Sequence, residues 1–88
     1  MTILINAHLE NAKLKKSRLD YAKLHGAHLN YAKLNYADLI GADLSCADLT
    51  NADLSKATIN RASFKDAIFN NTKCVDGIIR SHNPYTNL

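Results

Sequence analysis

The chain has 88 residues, 47% of them apolar, and a formal net charge of +3. That length holds one domain. No apolar run is long enough for a transmembrane helix, and Met1-Thr2-Ile3-Leu4-Ile5 lacks the charged front of a signal peptide, so the expectation is a cytoplasmic protein without membrane contact. Two cysteines are too few for a disulfide scaffold, and an ordinary globular core of this size is marginal.

From the first residues onward a leucine or an apolar substitute stands at every fifth position. The series starts at Leu4 and continues through Leu9, Leu14, Leu19, Leu24, Leu29, Leu34, Leu39, Leu44, Leu49 and Leu54 to Ile59, Phe64 and Phe69. Alanine stands two residues before nearly all of them from Ala7 to Ala67, with Ser17 as the exception. A period of five fits neither regular structure. On an α-helix, five steps of about 100° scatter the leucines around the cylinder. On a flat strand, an odd period alternates them between faces. Ala and Leu, two apart, share a face of a short extended piece, and a turn after each piece keeps every Leu inward. The repeated turn produces a coil with Leu and Ala inside and residues such as Asn6, Asn11, Gly26, Gly41, Asn51 and Asn71 at its corners.

The unit Ala-x-Leu-x-x resembles the A(D/N)LXX motif of the pentapeptide-repeat proteins, which Ala37-Asp38-Leu39, Ala42-Asp43-Leu44, Ala47-Asp48-Leu49 and Ala52-Asp53-Leu54 match literally. The resemblance runs from about residue 2 to residue 80. It implies an all-β fold, a right-handed quadrilateral parallel β-helix of about four coils with four pentapeptides each. The expected organisation is a β-helix over 1–80 and a tail or cap over 81–88. The resemblance also implies a bacterial source, frequently cyanobacterial.

A twenty-residue coil stacks residue i on i+20. Asp38, Asp43, Asp48 and Asp53 then form an acidic belt, and Arg18, Lys23, His28 and Lys33 lie one coil earlier in the same slot. The expected charge-ladder pairs are Arg18–Asp38, Lys23–Asp43, His28–Asp48 and Lys33–Asp53, with Lys73 on the other side of Asp53. Such cross-strand pairs contribute about 0.2–1 kcal/mol each, and their larger expected use is to fix register. Some members of the family are long, dimeric, acidic rods that mimic DNA and protect gyrase from quinolones. The positive charge and short chain depart from that pattern, so regulation of a topoisomerase is the alternative reading.

No glycine-rich phosphate loop, carboxylate pair or Ser/His/Asp arrangement is visible along the chain. His8, His28 and His25 fall near one another, but no thiol or carboxylate clearly completes a metal site. Cys46 falls at a corner and Cys74 in an inward slot. The sequence therefore predicts no enzyme, no cofactor and no metal. The candidate interaction surface is Lys13, Lys15, Lys16, Tyr21, Tyr31 and Tyr36. A nucleic-acid surface requires one uncompensated basic stripe. The best stripe, Lys13, Lys15, Lys16 and Arg18, is expected on more than one side of the coil, which disfavours nucleic acid.

Solenoid ends need covers. Past Phe69 the pattern weakens. Ile79 is the last expected inward residue, and Ile78, Tyr85 or Leu88 is the expected lid. The N-terminal coil is expected to meet a partner or a second copy end to end. The functional expectation is a scaffold or interaction module with an unidentified protein partner.

Overall fold

The computed structural model describes residues 1–86. Its organising feature is a ladder of parallel backbone bridges between residues twenty apart, from Ile3↔Lys23 through Asp53↔Lys73, one at every fifth position. The chain thus closes one circuit every twenty residues. Four of the five amides in each inner unit go to backbone carbonyls. In the unit Ala37–Gly41, Asp38 N–H donates backwards to Ser17 O, while Leu39 and Gly41 N–H donate forwards to Thr58 O and Asn60 O. Ala37 N–H closes a turn onto Leu34 O. The same closure, from the Ala or Ser slot onto the Leu, Ile or Phe three residues earlier, recurs from Ala7 to Ala67 at 2.9–3.1 Å.

Each turn has a left-handed residue at its third position, as type II geometry requires. Fourteen successive corners, Asn6 to Asn71, have φ between 51° and 68°. Asn, Gly and Asp66 fill half of them, the residue types that enter this region with least strain. The others include Lys16, Tyr31, Tyr36 and Arg61; at Lys16, Tyr31 and Tyr36 the corner amide's bond to the next circuit holds the conformation against a cost of about 1–2 kcal/mol. Gly41 is needed twice over. Its φ is +67°, and the ring of Tyr21 lies over it so closely that an added Cβ would sit 2.5 Å from Tyr21 Cε1.

The interior is a column of Leu and Ala. From Leu19 to Leu54 every inward Leu and Ala is buried. Thr72 takes an Ala slot, and its hydroxyl donates to Leu49 O at 2.7 Å. In the same slot Ser17 donates to Leu14 O at 2.7 Å.

Four expected inward residues are less enclosed. Leu4, Leu9 and Leu14 are half-buried because the first circuit has a neighbour on one side only. Ile59 is half-buried because the chain reverses before it can cover that position. Strand β1 (Thr72–Lys73) pairs antiparallel with β2 (Ile79–Arg80). The reversal turns Ile79 outward at 59% exposure, so it is not the last inward residue. Ile78 is exposed too and is no lid.

Tyr85 is the lid among the described residues. Its ring packs at 4.9 Å from Phe64 and 5.7 Å from Phe69. Its hydroxyl accepts from Val75 N–H at 3.0 Å, and burial raises the phenol pKa to about 12. Asn83 ties this segment down by donating to Phe64 O and accepting from Tyr85 N–H. Leu88, the other expected lid, lies outside the described residues.

Gly41→Ala is expected to destabilise the chain by about 1–3 kcal/mol in denaturant unfolding, from backbone strain plus the Tyr21 contact. Adding Tyr21→Ala should recover the contact part only. If the double variant recovers nothing, the ring does not depend on the glycine.

Candidate functional site

The outward aspartates lie where the ladder expectation put them, with bridges Arg18↔Asp38, Lys23↔Asp43, His28↔Asp48 and Lys33↔Asp53. Their chemistry differs from that expectation. Of the four ladder pairs, Arg18–Asp38 alone, at 3.8 Å, reaches ion-pair distance. Each carboxylate instead turns back on its own unit and accepts the one amide the ladder leaves over. Asp38, Asp43, Asp48 and Asp53 accept from the N–H of Ile40, Ser45, Thr50 and Ser55 at 2.9–3.1 Å. With Asp in this slot all five amides of a unit are bonded, which is a local reason for the Ala-Asp-Leu pattern.

The hydroxyl of Ser45 adds a bond of 2.6 Å to Asp43, and Ser55 does the same for Asp53. The Ser45 hydroxyl is the main cause that lowers the Asp43 pKa. Burial of Asp53 pushes its carboxyl up, but the Ser55 hydroxyl and amide with Lys73 and Lys33 outweigh it and the net shift is downward. On the reversal, Arg80 grips Asp76 through two bonds of 2.8 and 2.9 Å and holds it at about 2.

Stacking also assembles a contact that the linear sequence hides. His25 Nδ1 lies 2.7 Å from Ser45 Oγ, which lies 2.6 Å from Asp43 Oδ1. Ser, His and Asp do meet, contrary to expectation, but in the wrong order for a nucleophile. Ser45 has one proton, and the carboxylate can only accept it, so His25 Nδ1–H donates to Ser45. A nucleophilic serine needs the opposite, with its proton toward the imidazole and the carboxylate behind the ring. His8 and His28 stack face to face at 4.7 Å, and His8 turns to Glu10 at 3.3 Å. Among the described residues, no cluster of His, Cys, Asp or Glu is arranged to hold a metal. Cys46 is exposed and Cys74 buried.

The candidate surface divides. Lys13 stacks on Lys33 in one side column, which continues through Asp53 to Lys73. Lys15 and Lys16 form the corner after Lys13, and Lys15 Nζ lies 5.9 Å from the centre of the Tyr36 ring. Tyr36 shares a corner with Lys16 and Lys56, and all three have left-handed φ. Tyr31 stands at the opposite corner of the same side. Arg18 and Tyr21 belong to the next side and its far corner, and Tyr21 lies over Gly41. The four basic residues Lys13, Lys15, Lys16 and Arg18 thus fall on two sides. Lys13, Lys15 and Lys16 share one side and corner, joined by Lys33, Lys56 and Lys73, and only Arg18 departs.

A family model described as pentapeptide repeats matches residues 2–30 and 32–71 in eight copies. Two solved structures are similar. A pentapeptide repeat protein from the cyanobacterium Cyanothece 51142 is 34% identical with a TM-score of 0.73, over 74% of this chain and 44% of that one. A pentapeptide repeat protein from the Arabidopsis thaliana thylakoid lumen is 33% identical with a TM-score of 0.55, over 90% of this chain and 66% of that one. The chain thus spans less than two thirds of either structure's length. No curated protein matches it.

If the aspartates act through amide bonds, Asp48→Asn, which keeps an acceptor, should cost little, while Asp48→Ala should cost about 1–2 kcal/mol. Equal losses would return the role to charge. The lowered Asp43, Asp53 and Asp76 contribute stability that is complete above the ordinary value of 3.8. That stability should drain as pH falls below it toward about 2, where Asp76 titrates. Acid unfolding followed by circular dichroism reads the window.

Proposed function

The chain belongs to the pentapeptide-repeat family, and from that premise we propose that it is a non-enzymatic interaction or scaffold module, a right-handed quadrilateral β-helix of about four coils that presents rigid sides to another macromolecule. The observation that carries this reading is how the groups are used. Inward slots are filled mainly by Leu, Ala and Phe, the amides of the Asp units are all bonded, and the Ser/His/Asp contact among the described residues runs its proton away from the imidazole. What remains for recognition is the pattern of outward side chains, fixed on a short-period ladder. No helix among the described residues is long and apolar enough to cross a membrane. A cytoplasmic site of action and an unidentified protein partner, with an end-to-end homodimer as a second form of assembly, belong to this proposal.

Regulation of a topoisomerase by imitation of DNA is the alternative. It fits less well, because the aspartates occupy one circuit and spend their oxygens on local amides, and the molecule measures 29 × 26 × 22 Å, a block rather than a rod. In a gyrase supercoiling assay with and without quinolone the chain is expected to change nothing. Protection of the enzyme would favour the alternative.

Affinity capture with the immobilised chain tests the module reading. A captured partner should be lost when outward residues such as Lys15 and Tyr36 are replaced and kept in Ser45→Ala. Ester turnover that disappears in Ser45→Ala would make the chain an enzyme and overturn the reading.

A further inference from the structure

The net charge of +3 is not spread over the four sides. The side that carries Lys13, Lys33 and Lys73, together with its following corner of Lys15, Lys16 and Lys56, holds six of the eight lysines. Two acids share this region. Asp76 is neutralised by its paired bonds to Arg80. Asp53 lies in the column between Lys33 and Lys73 and turns one oxygen inward to the Ser55 amide and hydroxyl. The other sides balance or oppose. The preceding side carries Asp48 and the stacked His8 and His28, with Glu10 drawn toward His8. The following side pairs Arg18 with Asp20 and Asp38. The fourth stacks Lys23 on Asp43.

Stacked lysines at this spacing do not stabilise the fold. Lys13 and Lys33 are bridged neighbours of like charge, an arrangement that costs stability unless an anion lies across them. The side is also framed by aromatic rings. Tyr31 and Tyr36 stand at its two corners in the circuit of Lys33, 54% and 53% exposed, held outward by left-handed backbone. Lysine is depleted from protein–protein interfaces. A one-sided lysine column with exposed rings at its edges is the composition of surfaces that track a phosphate backbone and stack unpaired bases.

We propose that this side binds single-stranded nucleic acid, with phosphates along the Lys13–Lys33–Lys73 column and the Lys15, Lys16 and Lys56 corner, and bases stacked on Tyr31 and Tyr36. The proposal rests on the interaction-module reading and adds a nucleic-acid ligand to the protein partner proposed there. The column is roughly 14 Å tall at the usual spacing of about 4.8 Å per circuit, enough for about four nucleotides, the lower end of single-strand site sizes.

The test is fluorescence anisotropy of a labelled oligothymidylate with the full chain, over about 50 to 200 mM salt. Binding with Kd of about 10⁻⁴–10⁻⁶ M is expected, and a log–log salt slope near −3 for roughly four phosphates. The triple variant Lys13→Gln/Lys15→Gln/Lys16→Gln should weaken binding at least tenfold and flatten the slope by about 2. Tyr31→Asn/Tyr36→Asn, which keeps a residue suited to the left-handed corners, should weaken binding about tenfold and leave the slope unchanged. Lys23→Gln/Lys65→Gln, away from this side, should bind as the unaltered chain does. Circular dichroism identical to the unaltered chain qualifies each variant.

Four results would overturn the proposal: no binding at the lowest salt, equal loss in the Lys23/Lys65 variant, duplex bound as tightly as single strand with no effect of the tyrosines, or polyglutamate bound more tightly than the oligonucleotide. None of them touches the module reading, which fails on turnover instead.

Discussion

Everything in this fold depends on a left-handed residue at every fifth position. One extended step of three residues can bond to the circuits before and after it, but it cannot turn. The turn is made by a corner residue at φ near 60°, and the corner's amide joins the ladder rather than being left over. Because the corners from Asn6 to Lys56 are bonded onward to the next circuit, their strain is held by the neighbours. This explains how tyrosine and lysine occupy a conformation that usually selects glycine or asparagine. It also explains how so short a chain avoids the weakness of a small globule, since each circuit needs only its neighbours to be stable.

The ends show what the ladder does not supply. At the C-terminal end the chain builds its own closure. Phe64 and Phe69 widen the core, the β1–β2 reversal breaks the period, and Tyr85 lies across the two rings while its hydroxyl takes the amide of Val75. At the other end Leu4, Leu9 and Leu14 pack on one side only. The amides of Ile3, His8, Lys13 and Arg18 have no counterpart of the backward bond that Lys23 makes to Thr2.

Much of this was legible in the sequence, because backbone period and inward residues are both functions of spacing. The five-residue count put Ala and Leu inside, the corners outside and i over i+20, and the bridges fall at those positions. The role of the aspartates was not legible in the same way. A charge in a column suggests the charge above it, whereas Asp43 and Asp53 reach first for an amide and a hydroxyl two residues on. The signal was present as Ser two residues after Asp in both units, and the unused amide of each turn was the missing count. The lysine side was hidden for a different reason. Lys13, Lys15, Lys16 and Arg18 look like one run, but the corner after Lys16 sends Arg18 to the next side and leaves Lys33 and Lys73 as the nearer company. The reversal after Thr72 was signalled by Gly77 and the broken period, yet spacing alone could not tell that Ile79 would leave the interior.

Amide hydrogen exchange resolved by residue tests the central claim most directly. If the corners hold the ladder, protection should repeat with the five-residue unit through the Asp circuit, with the corner amides Gly41, Cys46, Asn51 and Lys56 as slow as the Leu amides beside them. The amides of Ile3, His8, Lys13 and Arg18 should exchange freely. Corner amides that exchange as fast as unstructured chain, or first-circuit amides as slow as those of Lys23 and His28, would contradict the account.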